Sequence, residues 1–182
     1  IEFMEIPSSF QFQPIGVMHT PFKEKFAIPR QPLVSSAKGI LELVEPFNVR
    51  ESVRELEAFS HIWVLFVFHL NVGKKWKATV RPPRLGGNKR VGVYASRSPF
   101  RPNAIGQSVM QLDRMSFERG GVRLHVSGVD CLDGTPVLDI KPYLPYADKL
   151  EEARGGFAQQ SPVPSLEVTF TKQAESQCRR LS

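Results

Sequence analysis

The chain is poor in sulfur, in long apolar runs and, through its middle, in negative charge. Two cysteines occur in 182 residues, Cys131 and Cys178, and they match no zinc or disulfide spacing. No run of about 20 apolar residues and no charged-then-apolar leader is present, so a membrane span or a secretory route has no support in the sequence. These absences lead us to expect a cytoplasmic protein with reduced thiols and no membrane partner. No strand runs into G-x-G-x-x-G and a helix, and G-x-x-x-x-G-K-[ST] is missing, which disfavours a Rossmann or P-loop nucleotide site. There is no G-x-S-x-G elbow, so covalent catalysis has no visible nucleophile. His19, His69 and His125 have no metal-ligand spacing, and no metal is assigned.

The missing acids matter most. Between Glu57 and Asp113 there is no acidic residue, while Lys74, Lys75, Lys77, Arg81, Arg84, Lys89, Arg90, Arg97 and Arg101 all fall there. The chain as a whole carries only +6, so this positive charge is focused rather than general. Phosphate is the expected partner, because a planar guanidinium fork suits phosphate and carboxylate. The competing reading is a solvated basic loop kept for solubility.

Proline and glycine punctuate a series of short apolar runs. QPIGVMH (Gln13 to His19) and KGILELV (Lys38 to Val44) read as strands, separated by the proline-bounded loop PFKEKFAIPRQP. NVRESVRELEAF (Asn48 to Phe59) predicts a helix: Asn48 can cap it with Glu51, and Val49, Val53, Leu56 and Phe59 share a face. HIWVLFVFHL (His61 to Leu70) reads as a strand buried on both sides, with a buried helix as the alternative. RVGVYA, SVMQLDRMSF and VRLHVSGV continue the sheet, the last two as a hairpin around Gly120 and Gly121, and PVLDIKPY and LEVTF add two more strands. Many short strands with long loops and one helix argue a mainly antiparallel β-barrel or sandwich in one domain of ordinary size.

Four segments hold too many polar groups for mere connections: HTPFKEK (His19 to Lys25), FSHIW (Phe59 to Trp63), SRSPFRPNAIG (Ser96 to Gly106) and DCLDGTPVLDIKPYLP (Asp130 to Pro145). Pro99 and Pro102 forbid a strand and fix the stems of Arg97 and Arg101, whose alternative use is pairing with acids elsewhere. Asp133-Gly134 is a turn dipeptide by itself, but Asp130, Asp133, Asp139, Lys141 and Tyr143 cluster around it. Asp139, inside an apolar alternation, is expected to be buried and partnered. His61 is either a satisfied core histidine or a ligand contact. Trp76, Tyr94 and Phe100 either stack on bases or belong to the core.

FSHIWVLFVFH, RPPRLGG, SRSPFRPNAIGQS and DGTPVLDIKPYLP, in this order and spacing, resemble the TsaA-like family, also called TrmO, over about Phe10 to Phe170. The resemblance implies a small antiparallel β-barrel with one or two covering helices, a homodimer, and S-adenosylmethionine as cofactor. It implies methylation of the exocyclic amine of threonylcarbamoyl-adenosine beside the anticodon of tRNA. By the same resemblance Thr20, Pro21, Phe22, Ser60, His61, Arg81 and Arg97 match cofactor-binding positions. So does the run Asp130, Cys131, Leu132, Asp133, Gly134 and Thr135. A general base would assist attack by an amine drained by its carbonyl substituent; Asp133 is the first candidate, then Asp139, then His61. The basic span, with Lys74, Lys75, Arg84, Lys89, Arg90 and Arg101, is expected to grip the anticodon stem and loop. A nonenzymatic RNA- or nucleotide-binding barrel is the alternative from another class.

The expected plan along the chain is a cloning scar over residues 1–3, a barrel domain over 10–146 and an extension over 147–182. The extension ends in TKQAESQCRRLS, which reads as the start of a helix in a truncated C-terminal domain.

Overall fold

Alternation decides the architecture. In a computed structural model that describes residues 7–118, 121–161 and 169–181, six strands close into an antiparallel barrel. They are β1 (Gly16–His19), β2 (Lys38–Leu43), β3 (His61–Val67), β6 (Ile105–Glu118), β7 (Gly121–Ser127) and β8 (Thr135–Pro142). Two further strands, β4 (Thr79–Val80) and β5 (Val91–Gly92), form a separate ribbon. Around the barrel the order is β1-β2-β7-β6-β3-β8, with β1 paired to both β2 and β8 to complete the ring. Closure leaves no edge in the main sheet for another chain to extend.

Period-2 patterning puts one side of each strand inside. Met18, Leu41, Ile62, Val64, Met110, Leu124, Val126 and Val137 are wholly buried there. β6 is the longest strand and serves two neighbours, pairing with β3 over Ile105 to Gln111 and with β7 from Gln111 onward. A register shift between Leu112 and Arg114 separates these stretches, as a bulge does when it re-aims a strand. Residues 119–120 of the hairpin expected around Gly120 and Gly121 lie outside the described residues, and the strand expected over LEVTF lies largely outside them too.

Three expectations need correction. The helix read over Asn48 to Phe59 is two short 3-10 turns, Arg50–Val53 and Leu56–Ala58, split at Glu55, whose φ of 64° is left-handed. Asn48 makes no cap; Val53 alone of this stretch is fully buried, while Leu56 packs against the core. HIWVLFVFHL is a strand only to Val67, and its outer side is half-covered rather than buried. RVGVYA does not join the barrel: only Val91 and Gly92 are strand, and Val93–Ala95 turn into a 3-10 helix.

The chain divides into two compact units after Leu150. The first holds the barrel, the ribbon and a short helix α1 (Pro145–Asp148), anchored where Asp148 accepts the Trp63 indole N–H at 3.0 Å. The second contains α2 (Lys172–Leu181), opened by Thr171, whose hydroxyl accepts the Ala174 N–H at 3.2 Å. Among the described residues no helix is long and apolar enough to cross a membrane.

Candidate active site

β1 and β3 end, and β6 and β8 begin, at one rim of the barrel: Met18 lies opposite Thr135, and Val67 opposite Ile105. The loops that leave this rim are the segments rich in polar groups. They enclose a cleft of about 760 Å³, within the roughly 300–1,000 Å³ common for small-molecule sites.

One wall is SRSPFRPNAIG, which braces itself. The Ser96 hydroxyl donates to Val93 O at 2.8 Å and accepts the Ser98 N–H at 3.3 Å. Arg101 donates to Ser96 O at 2.8 Å and to Val93 O at 3.2 Å, with its guanidinium 5.6 Å from the Tyr94 ring centroid. Arg101 therefore has its Nη1 committed to its own turn and lines the cleft. Tyr94, backed by that cation, is 73% exposed at the cleft. Phe100 lies partly buried with Lys77 4.2 Å from its ring, while Trp76 is exposed. Arg97 crosses the cleft to Gln31, donating to its side-chain oxygen at 2.6 Å.

A second wall is formed by Asp130, Cys131, Leu132 and Thr135 of one loop. Gly134, at φ 75°, makes the turn that other residues would strain to adopt, and its N–H reaches Met18 O. Thr20, buried, donates its hydroxyl to Cys131 O at 3.1 Å, and Thr135 donates to Leu132 O at 2.7 Å. The first ties loop to loop and the second closes the turn on itself. The Cys131 thiol is buried, and burial pushes it up to about 12, which leaves it inert. Asp130 lines the cleft and accepts the Ser108 hydroxyl at 2.7 Å. Burial raises its carboxyl above the ordinary value against the opposing effects of Ser108 and the Arg97 charge. Ser108 was not singled out in the sequence; a polar residue at an inward position of β6 is its only signal, legible once the register is known.

Asp133 is differently placed. It lies in a second, shallower depression with Thr20, Lys23 and His125, and both its oxygens are engaged: Oδ1 accepts the Thr20 N–H at 2.9 Å and Oδ2 pairs with Lys23 Nζ at 2.5 Å. The Lys23 contact, then the Thr20 N–H, hold its carboxyl below the usual range, the wrong direction for a base. We expect Asp133→Ala to lower unfolding stability by about 1–2 kcal/mol, because Thr20 N–H loses its acceptor. The sign with pH follows. The folded state favours ionised Asp133, so its contribution is present above the unfolded value near pH 4 and is lost as pH falls through the depressed folded value. Urea midpoints of wild type and Asp133→Ala should converge as the pH falls below about 4.

The remaining candidates are dispersed. Asp139 is not buried: its side chain is 46% exposed and pairs with Lys141 at 3.0 Å on the outside of β8, away from the cleft lining. Ser60 and His61 stand at the start of β3, outside the cleft lining though Trp63 two residues on belongs to it, with the Ser60 hydroxyl 2.9 Å from His61 Nδ1 and Tyr143 edge-on to the ring. Pro21 is exposed, and Phe22 packs against the core. Arg81 lines neither depression and belongs with Arg84, Lys89 and Arg90 on the exposed β4–β5 ribbon, just after Lys74 and Lys75. No acid among the described residues forms an ion pair with these ribbon cations. The structure thus brings Arg97, Asp130, Cys131, Leu132 and Thr135 into one cleft and leaves His61 and Asp133 outside it.

Comparison with known proteins adds what geometry does not. The profile of the tRNA-methyltransferase O N-terminal domain matches residues 17–149. The chain is 54% identical over 171 residues to the tRNA (adenine(37)-N6)-methyltransferase of Escherichia coli, covering 93% of this chain and 73% of that protein. It is 42% identical over 159 residues to a probable S-adenosyl-L-methionine-binding protein of Pyrococcus abyssi, covering 87% of this chain and 81% of that one. The crystal structure of TrmO from Pseudomonas aeruginosa superimposes with a TM-score of 0.76 at 46% identity, over all of this chain and 74% of that one.

Proposed function

We propose a function from one premise: the chain belongs to the tRNA-methyltransferase O N-terminal domain family. It is a methyltransferase that uses S-adenosylmethionine to methylate N6 of adenine 37 in tRNA. The observation that carries this reading is a cleft walled by arginine and aspartate together with an exposed ribbon whose cations form no ion pair among the described residues. S-adenosylmethionine is consumed as a substrate and supplies an electrophilic methyl on a sulfonium. The cleft fits its chemistry: the Arg97 fork suits an amino acid carboxylate, and Asp130 places an acceptor near a cation. Arg97→Ala should weaken the donor about 10- to 100-fold, the range for one charged hydrogen bond, as read by calorimetry.

The finer substrate is threonylcarbamoyl-adenosine at that position. Lys74, Lys75, Arg81, Arg84, Lys89 and Arg90 supply phosphate contacts, and Tyr94 offers a ring on which an extruded base can stack. Residues 10–146 make up the catalytic barrel and 147–182 an extension to it. The enzyme works in the cytoplasm as a homodimer, in which a second copy brings the rim bearing Ser60 and His61 to the cleft. That arrangement adds to the site two residues that a single copy leaves outside the cleft lining.

The test is mass spectrometry of tRNA nucleosides after incubation with an isotopically labelled methyl donor. Label gained only by threonylcarbamoyl-adenosine supports reaction and substrate together. A nonenzymatic nucleotide-binding barrel would bind tRNA yet give neither label nor heat with S-adenosylmethionine.

A further inference from the structure

Methylating an amine that stays uncharged in the product releases one proton, and something in the deep cleft must receive it. This requirement rests on the methyl-transfer reading above. Two of the candidates named from sequence are already committed. Asp133 is clamped between Lys23 and the Thr20 N–H, and Asp139 is paired with Lys141 on the outer surface. His61 stands at the far end of β3. Among the described residues the cleft has one carboxylate in its lining, Asp130.

Its setting differs from theirs. Ser108, 2% exposed on the inner side of β6, donates to Oδ1 at 2.7 Å and so fixes the plane of the carboxylate from within the barrel. No other side-chain donor among the described residues reaches it; Arg97 acts on it through charge without forming an ion pair. The backbone N–H of Asp130 itself also bonds the carboxylate, and an oriented, partly dry carboxylate with no ion-pair partner is what proton abstraction needs.

We propose that Asp130 is the general base of the methyl transfer. The amine nitrogen attacks the methyl carbon, forming the N–C bond as the C–S bond breaks. The bonding pair leaves with sulfur as a neutral thioether, and the N–H proton passes to Asp130, whose carboxylate becomes a neutral acid. The sulfonium charge and the carboxylate charge vanish in the same event, so the cleft is left without a new buried ion.

His69 also lies in the lining, in the 3-10 turn that follows β3, but no side-chain hydrogen bond among the described residues orients it as Ser108 orients Asp130. Burial, which raises the Asp130 carboxyl, also improves it as an acceptor.

Asp130→Asn keeps an oxygen for the Ser108 hydroxyl and the same volume, so it separates basicity from architecture. Single-turnover transfer to tRNA should fall about 10²- to 10⁴-fold. The calorimetric Kd for S-adenosylmethionine should rise by no more than about 10-fold, the loss of one charge facing the sulfonium, and so by far less than the rate falls. In Asp130→Ala, added formate should restore part of the rate, which a residue that merely holds the loop would not allow. The assignment is overturned if Asp130→Asn transfers methyl at the wild-type rate, if its donor affinity falls in step with its rate, or if His69→Gln measured beside it loses more. A wild-type chain that labels no tRNA would remove instead the methyltransferase reading on which the assignment stands.

Discussion

Alanine at position 106 is expected to destabilise the barrel by about 2–3 kcal/mol, although it adds only one methyl group. Gly106 lies directly opposite Phe66 in the β3–β6 register, and both are buried. The Phe66 ring lies over the glycine, so a Cβ there would overlap Cε2 and Cζ of that ring. A ring at the end of a loose side chain would step aside, but this one is 3% exposed and packs edge-on against Phe68 with centroids 5.3 Å apart. Relief is available only towards the deep cleft, which Phe66 and Gly106 both line. Two penalties therefore come together: the melting temperature of Gly106→Ala should drop by about 5–10 °C, and its affinity for S-adenosylmethionine should weaken. Adding Phe66→Leu to Gly106→Ala should recover stability relative to Gly106→Ala alone, because the two residues share one space. A thermal scan of the four proteins in this cycle decides the matter; additive effects would mean that the ring is not the obstacle.

Removing charge from the ribbon should weaken tRNA while sparing the donor. Arg84, Lys89 and Arg90 lie on or just beside β5 and the loop leading to it, and Arg90 is oriented by a bond to the Thr79 hydroxyl at 3.1 Å across the ribbon. Neither depression includes them. Changing all three to serine should raise the Kd for tRNA about 10- to 100-fold near 0.1 M salt. The dependence of log K on log salt should become shallower by about 0.7–0.9 for each phosphate that the protein no longer neutralises. Calorimetry with S-adenosylmethionine should read as wild type. A uniform drop in affinity with an unchanged salt slope would show that these cations support the fold of the ribbon rather than touch phosphate.

Much of the barrel can be read from the chain because inward and outward residues alternate along GVMH, KGILEL, HIWVLFV and VRLHVS. The failures have local causes. Val49, Val53 and Leu56 have helical spacing, yet Glu55 takes a left-handed conformation and ends the first turn before an α-helix can propagate. RVGVYA has strand composition but pairs only at Val91 and Gly92, with Thr79 and Val80, because the chain then coils into the Arg101-braced turn.

At the site, the resemblance drew out the segments, and SRSPFRPNAIG and the Asp130 loop do wall one cleft. The division of labour between neighbouring aspartates was hidden. Asp130 and Asp133 are three positions apart in one loop, yet one meets Ser108 of β6 and the other Lys23 beyond β1. Those partners are set by which strands adjoin around the ring, a long-range fact that spacing in the chain does not encode.

The placement of the β4–β5 ribbon has an evolutionary consequence. Its two rungs are separate from the ring of six, and Gly86 and Gly87, both at positive φ, give its tip a backbone with open space where side chains would stand. Insertions or deletions at that tip need not disturb the closure of the barrel. Descendants of such a chain can therefore lengthen, shorten or recharge this arm to suit a changing set of RNA substrates, while inheriting the barrel and its cleft unaltered.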